Sequence, residues 1–346
     1  MRRIRVARAA EKRGANGDPI LQVRDLTVDF ETVEGSIRAV DGVSFDVLPR
    51  RTLGVVGESG CGKSVTAQAM MRIEDGRICK LGGSLLLRRG EGTLDLLGIE
   101  GNSAQMREIR GREIGLIFQE PMTSFSPVHT IGNQIIEAVR LHFNLGRPQA
   151  AQRAVEQLRN VGTPNPEHVM NQYAWELSGG LRQRAMIAMA LVCGPRLLIA
   201  DEPTTALDVT TQAQVLTLLG ELQKRHDMAL MLITHDLGVV AAAAHDVAIM
   251  YLGLIVERGP AASIFRNPMH PYTQLLLESL PSLTRRRQGA LKAIRGTVPR
   301  AGNRPHGCPF HTRCPSAIVG VCDRILPCPT QVAEHHIVNC HLHHQP

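Results

Sequence analysis

The feature that most constrains the fold of this chain is a glycine-rich octapeptide between a short apolar run and a helical stretch. It consists of Gly57, Glu58, Ser59, Gly60, Cys61, Gly62, Lys63 and Ser64. The octapeptide matches G-x-x-x-x-G-K-[ST], in which glycines let backbone N–H groups curl around phosphate oxygens at a helix N-terminus. We therefore expect a strand over 53–56, a helix from Lys63 to about Met71, and a phosphate site between them. In that site Lys63 would contact the β- and γ-phosphates and Ser64 would bind Mg²⁺.

Two adjacent carboxylates end a second apolar run, over 197–200. After a buried strand, Asp201 is expected to hold Mg²⁺, directly or through water. Glu202 is expected to polarise a water in line with the γ-phosphate as a general base. A lone acidic pair is usually a solvated strand end, but in a chain with a phosphate loop it predicts a hydrolysis site.

Other apolar patterns predict an α/β domain. Residues 20–48 alternate apolar and polar side chains, which indicates antiparallel strands with a turn near Glu34 and Gly35. Helical spacing over 134–160, broken at 146–148, predicts two helices in a helical subdomain. Residues 72–100 fit poorly, so the strands there are uncertain.

Buried parallel strands are predicted by compact apolar runs. The runs at 197–200 and 229–233 flank a helical stretch at about 211–225, as expected of strands joined by a crossover helix. The sheet is expected to continue at 247–250. No internal repeat is found, so the sequence predicts a single nucleotide-binding unit.

Composition and charge disfavour several functional classes. The formal charge of +7 is concentrated near residues 2–8 and 285–287, which favours solvated arms over a nucleic-acid surface. Aromatic residues make up only 3% of the chain, too few for base-stacking platforms. The sequence contains neither a secretory leader nor the run of about 20 apolar residues that a membrane-spanning helix needs. We expect a cytoplasmic chain that meets membranes through partners.

A third motif, over 177–184, resembles the signature sequence of ABC ATPases. Without that resemblance, Ser178 would be interpreted as a helix N-cap, followed by the bare N–H groups of Gly179 and Gly180. With it, these three residues are implied to serve a nucleotide bound mainly by the opposite subunit.

Further landmarks of the ABC ATPases follow in the expected order. Gln119 matches the loop glutamine that touches Mg²⁺ and water, and His235 matches the switch histidine near the γ-phosphate. Asp208, in the segment 206–208, matches the loop that contacts the opposite subunit. Phe30 is the candidate for the aromatic ring that stacks on adenine. The resemblance assigns hydrolysis to Glu202, Gln119 and His235.

The resemblance implies a P-loop NTPase of the ABC type, with a mixed sheet core, an antiparallel β subdomain and an inserted helical subdomain. We expect four units: a basic arm over 1–18, a nucleotide-binding domain over 19–265, its helical subdomain at about 122–180, and an extension over 266–346. Two ATP molecules would be sandwiched head to tail in a dimer. ATP would close the dimer and hydrolysis would reopen it, and the motion would reach membrane subunits.

The C-terminal tail, residues 306–346, concentrates metal-binding side chains: five of the eight cysteines and seven of the fourteen histidines lie there. In a cytoplasmic chain this favours metal over disulfides. The spacing lacks the paired C-x₂-C knuckles of common zinc sites, so an iron–sulfur cluster held by four thiolates is the sharper hypothesis. Zinc and unligated thiols stay open.

The segments 267–273, 307–310 and 313–315 resemble the C-terminal extension of oligopeptide and dipeptide importer ATPases. Some members of that family are associated with a [4Fe–4S] cluster in this extension. The matching thiols here are Cys308, Cys314, Cys322 and Cys340. Cys328 is an addition to the family pattern.

This second resemblance implies an ATP-hydrolysing subunit that drives peptide import, peripheral on the cytoplasmic face of a bacterial inner membrane. Its cofactors would be ATP and Mg²⁺. Its partners would be a related but distinct ATPase chain, two transmembrane permease subunits and a periplasmic solute-binding protein, with no nucleic acid.

Three alternatives stay open at the level of sequence. The chain could be a soluble ABC ATPase acting on ribosomes or DNA, although such proteins usually carry two cassettes or a coiled-coil insertion. The cargo could be nickel, glutathione or another small solute. The tail could be a regulatory module that senses redox state or iron and gates ATP turnover.

Overall fold

The computed structural model of the chain describes four stretches: 17–33, 35–205, 207–279 and 294–343. The predicted basic arm over 1–18, apart from its last two residues, and the arginine run 285–287 lie outside the described residues, as do Glu34 and Ala206. Within the described stretches, none of the helices combines the length and apolar character needed to cross a bilayer.

The strands follow the apolar runs of the sequence. In chain order they are Leu21–Thr32 (β1), Gly35–Val47 (β2), Thr52–Val56 (β3), Cys79–Arg89 (β4), Gly92–Asp95 (β5), Ile114–Ile117 (β6), Leu197–Asp201 (β7), Ala229–Thr234 (β8), Asp246–Tyr251 (β9), Leu254–Pro260 (β10), Thr330–Ala333 (β11) and His336–Val338 (β12).

The α-helices alternate with these strands. They are Lys63–Met71 (α1), Ala104–Arg112 (α2), Pro121–Ser124 (α3), Ile131–His142 (α4), Arg147–Asn160 (α5), Pro166–Val169 (α6), Gly179–Leu191 (α7), Val209–Arg225 (α8), Leu237–Ala243 (α9), Ala261–Arg266 (α10) and Pro271–Glu278 (α11).

An antiparallel sheet has the order β2-β1-β4-β5 within the described residues. Its hairpin β1–β2 confirms the antiparallel strands predicted from the alternation over 20–48, and Leu21, Val23 and Leu26 of β1 are fully buried. The register between β1 and β4 shifts between Arg24 and Thr27. This sheet packs one face onto the central core.

A second sheet has the order β11-β12-β10-β9-β3-β8-β7-β6 among the described strands. Its pairs from β9 to β6 are parallel, and β3, β7 and β8 are buried along their whole length. Continuous burial explains why these strands are continuously apolar rather than alternating. The predicted parallel strands at 197–200, 229–233 and 247–250 are confirmed.

Helices α4, α5, α7 and α8 pack together beside the end of this sheet formed by β6, β7 and β8, around buried residues that include Ile135, Leu158 and Ile187. The two helices predicted over 134–160 are present, and α4 begins three residues earlier because Thr130 accepts a hydrogen bond from Asn133 N as its N-cap. The limits of a helical subdomain at 122–180 stay a prediction.

The C-terminal residues continue the same sheet. Strand β12 pairs with β10, and His336 of β12 lies 2.8 Å from the fully buried carboxylate of Glu257 on β10. The same carboxylate accepts hydrogen bonds from Met269 N and His270 N. The extension is therefore tied to the nucleotide-binding part by main-chain pairing and a buried ionisable pair. The boundary near residue 265 remains a prediction.

Candidate functional site

The phosphate loop lies at the carboxyl edge of the parallel strands, directly after β3. A Cβ atom on Gly57 would lie 2.2 Å from Met250 O, so only glycine fits beside β9. Gly62 has φ of 102°, and it begins α1 as an N-cap without a side chain. The loop therefore ends at a helix N-terminus that has no side-chain cap.

Lys63 is held at the centre of this loop. Its side chain is buried, and its Nζ donates hydrogen bonds to Gly57 O at 2.8 Å and Glu58 O at 3.2 Å. The loop thus folds around its own cation. When ATP binds, phosphate oxygens would replace these carbonyl oxygens as hydrogen-bond acceptors for the Lys63 ammonium group.

Ser64 and Asp201 come together from α1 and β7. Burial raises the pKa of Asp201, and the nearby Ser64 hydroxyl offsets part of that rise. Among the described residues, the buried Oδ1 of Asp201 has no hydrogen-bond partner. A hydroxyl beside an unsatisfied carboxylate oxygen provides hard oxygen ligands of the kind that Mg²⁺ prefers. These two residues therefore fit the predicted Mg²⁺ site.

Three polar side chains converge on Glu202. Gln119 Nε2 donates to Glu202 Oε2 at 3.3 Å, Thr205 Oγ1 donates to the same oxygen at 2.8 Å, and His235 Nδ1 lies 3.3 Å from Glu202 Oε1. Burial opposes ionisation of Glu202, but the hydrogen bonds from Thr205 and His235 outweigh it and lower its pKa. Glu202 is therefore an oriented, ionised carboxylate beside Asp201.

The residues around Glu202 come from three strand ends. Gln119 follows β6, Glu202 follows β7, and His235 follows β8. The carboxyl ends of neighbouring parallel strands share one edge, which brings residues far apart in sequence together. The structure thus places Gln119, Glu202 and His235 together, as the resemblance predicts.

The segment Ser178–Gly180 lies at another helix start, that of α7. Ser178 caps the helix and accepts a hydrogen bond from Leu181 N at 3.4 Å. Built Cβ atoms on Gly179 and Gly180 would approach Leu207 and Thr211. Asp208 caps the following helix α8 through Thr211 N. The predicted signature is thus a neighbour of Leu207 and Thr211.

Phe30 lies on β1, half-buried, opposite Ile37 of β2 and Cys79 of β4. It packs against the core between the sheets. Its proposed stacking on adenine stays a prediction.

Four tail thiols line one pocket: Cys308, Cys314, Cys322 and Cys340. Burial raises the pKa of Cys308 and of Cys340 to about 11, and raises that of Cys314 as well. Among the described residues, no group of three or more His, Cys, Asp or Glu side chains has an arrangement that could hold a metal ion. The structure therefore gives the predicted iron–sulfur cluster no support beyond the convergence of its four thiols. Cys328 is exposed and is absent from the residues that line the described pocket.

Sequence reasoning missed three residues of this region. Thr205 could have been found, since it follows Glu202 by three residues in a turn. Arg313 and Tyr272 contact Glu58 of the phosphate loop from 255 and 214 residues away. No local pattern marks contacts at such separations.

Two family models match this chain. The ABC transporter family model matches residues 40–205, and the model of the oligopeptide/dipeptide transporter C-terminal region matches 256–322. A bacterial ABC transporter cassette solved as a dimer has a similar fold, with a TM-score of 0.60 at 22% identity over 70% of this chain and 98% of the cassette.

Full-length relatives are more similar in sequence. The "Probable peptide ABC transporter ATP-binding protein" of Sinorhizobium fredii is 49% identical over 93% of this chain and 95% of the relative. The dipeptide transport ATP-binding protein DppD of Bacillus subtilis is 46% identical over 95% of this chain and 96% of the relative. The chain therefore belongs to the family of ATP-binding proteins of peptide ABC transporters.

Proposed function

We propose that this chain binds ATP at the phosphate loop, hydrolyses it with Glu202 as general base, and drives peptide import through an ABC transporter. The observation that carries the proposal is the convergence of Gln119, Thr205 and His235 on an ionised Glu202 next to Asp201. In an ordinary solvated acidic pair, the carboxylate would not be held by side chains that come from the ends of neighbouring strands.

Each residue has a defined task in the proposed reaction. Lys63 and the loop N–H groups bind the β- and γ-phosphates, and His235 contacts the γ-phosphate. Glu202 accepts a proton from the attacking water as the new oxygen–phosphorus bond forms and the bond from the γ-phosphorus to the bridging oxygen breaks, releasing ADP and phosphate. Mg²⁺, when bound by Ser64 and Asp201, supplies neutralisation of phosphate charge.

Two copies of the cassette are needed in this proposal. Ser178, Gly179 and Gly180 bind the nucleotide held by the opposite subunit, and Asp208 lies in the loop between subunits. Support comes from the position of Ser178 at a helix N-terminus beside the loop that contains Asp208. A related, distinct ATPase chain is the proposed partner, together with two permease subunits and a periplasmic binding protein. The complex would lie on the cytoplasmic face of a bacterial inner membrane.

Peptide cargo is supported by the full-length relatives and by the C-terminal family match. Uptake of labelled dipeptides and oligopeptides should be measured in cells that lack the gene and carry either the wild-type chain or Glu202→Gln. We expect peptide uptake in cells that carry the wild-type chain and none in cells that carry Glu202→Gln. An excess of nickel or glutathione should not lower this peptide uptake. Uptake of nickel or glutathione in place of peptide would identify that solute as the cargo.

We also propose that the thiol pocket holds an iron–sulfur cluster through Cys308, Cys314, Cys322 and Cys340. The support is that the four thiols line one pocket, and four thiolates suffice for a [4Fe–4S] cluster. Iron and acid-labile sulfide should be quantified in protein purified without oxygen, for the wild type and for the variant with all four cysteines replaced by serine. Absence of both elements from the wild type contradicts this part of the proposal.

A further inference from the structure

The C-terminal extension reaches into the phosphate loop through Arg313. Its Nη1 donates to Glu58 Oε2 at 2.7 Å and its Nη2 donates to Glu58 Oε1 at 3.1 Å. Such a two-point pair fixes the orientation of the carboxylate as well as its position. The Arg313 side chain is only 5% exposed, and its Nε donates to Arg295 O at 3.1 Å. Contacts within the extension therefore hold the guanidinium in place beside Glu58.

Tyr272 makes a second contact from the extension to the same residue. The backbone N–H of Glu58 donates to Tyr272 Oη at 3.0 Å. The ring of Tyr272 is fully buried and packs against Tyr251 and Phe310, at centroid distances of 4.8 and 5.2 Å. A buried aromatic cluster thus fixes the hydroxyl that receives this N–H group.

These contacts bear directly on Lys63. Its Nζ donates to the carbonyl oxygens of Gly57 and Glu58. Glu58, which the extension contacts, therefore also orients the Lys63 ammonium group. Arg313 also neutralises a carboxylate in a loop that must receive a polyanion. Without Arg313, the charge on Glu58 would repel the triphosphate.

We propose that Arg313 and Tyr272 are positioning residues for ATP, and that the C-terminal extension is a working part of the nucleotide site. The inference rests on the proposed function, since it takes the phosphate loop to be the ATP site. It assigns to the extension a task separate from any metal in the thiol pocket.

The test compares KM for ATP and kcat in the assembled transporter for Arg313→Ala, Tyr272→Phe and Glu58→Gln. We expect Arg313→Ala to raise KM about tenfold, since it removes a charge-assisted two-point contact, with kcat within about twofold of wild type. Tyr272→Phe should raise KM about threefold. Adding Glu58→Gln to Arg313→Ala should lower KM again, because it removes the unpaired negative charge.

A lower KM in the double variant would separate a positioning role from a merely structural one. If Arg313 only stabilised the fold, a second substitution would impair the protein further. Arg324→Ala serves as a matched control, because Arg324 lies in the same extension but is 75% exposed. If Arg313→Ala fails to fold, Arg313→Lys, which keeps charge but loses the two-point geometry, should raise KM less. An unchanged KM in Arg313→Ala, or a double variant worse than either single one, overturns the inference. Retained hydrolysis in Glu202→Gln would instead overturn the proposed function.

Discussion

Two glycine-rich helix starts in this chain, those of α1 and α7, differ in what surrounds them. The start of α1 has no side-chain cap, and Lys63, Ser64 and Asp201 gather at it. The start of α7 is capped by Ser178 and lies against Leu207 and Thr211.

A helix N-terminus alone therefore does not make a nucleotide site. Both termini present partial positive charge. Among the described residues, the first has Lys63 pointing into its loop and the candidate Mg²⁺ ligands and proposed base nearby, whereas the cation of the second, Arg182, donates to Ala174 O and Leu177 O. In the proposed dimer, the second would contact a nucleotide only when another subunit brings ATP to it. Substitutions at the two termini should therefore separate ATP binding from turnover.

Apart from loss of Glu202 itself, the greatest change is expected for Asp201→Asn, which alters the first terminus alone. Loss of the carboxylate should lower Mg²⁺-dependent turnover on the order of 10³-fold, because the metal supplies several kcal/mol of charge stabilisation. The measurement is ATP hydrolysis across a Mg²⁺ titration. Asp227→Asn, at a site 67% exposed in its side chain, should match wild type. Normal Mg²⁺ dependence in Asp201→Asn would remove this residue from the site.

Ser178 distinguishes a cap from a nucleotide contact at the second terminus. Aspartate caps helices as well as serine does, whereas alanine costs about 0.5–2 kcal/mol of stability. If Ser178 meets a phosphate, Ser178→Asp should lower turnover on the order of 10²-fold through repulsion, more than Ser178→Ala. ATP binding by the isolated chain should stay unchanged in both variants. Full activity of Ser178→Asp would leave Ser178 a cap only.

Thr205→Val tests the orientation of the base at the first terminus. Loss of the hydrogen bond to Glu202 should lower kcat on the order of tenfold, as for other bonds to charged groups. Because that bond helps to lower the pKa of Glu202, its removal raises this pKa. The acid limb of the pH–rate profile should then move to higher pH, since activity is lost as pH falls through the pKa of the base. Thr205→Ser, which keeps the hydroxyl, should leave the limb in place.

The smallest effect is expected from the thiol pocket, which belongs to neither terminus. Replacement of the four cysteines by serine should keep kcat within about twofold, because the described contacts of Glu202 and Lys63 all come from other residues. KM for ATP should move less than in Arg313→Ala, even though Cys314 follows Arg313 in sequence. A loss of turnover comparable to that of Asp201→Asn would make the tail a gate for hydrolysis.

Local sequence patterns predict much of the fold and the residues at the start of α1. The phosphate loop and the acidic pair are predictable because each is a contiguous segment beside a buried strand. Strand β4 was uncertain for a physical reason. Gly83 has φ of 90° and an added Cβ would lie 2.4 Å from Asp25 O, so a bulge changes the phase of the alternation.

Contacts made across the fold could not be predicted in the same way. Gln119 and His235 were assigned through resemblance, since single polar residues at strand ends carry no pattern of their own. The pairing of Arg313 with Glu58 joins residues 255 positions apart. Only the packing of the extension beside β9 and β10 brings them together.

In the proposed function, Glu202 performs ATP hydrolysis at the first terminus. The most direct test is kcat at saturating ATP for Glu202→Gln in the assembled transporter, with Glu221→Gln, on the exposed face of α8, as control. We expect Glu202→Gln to lower kcat about 10²- to 10⁴-fold with ATP binding retained, which is the range for a general base. Turnover equal to that of the control would contradict it.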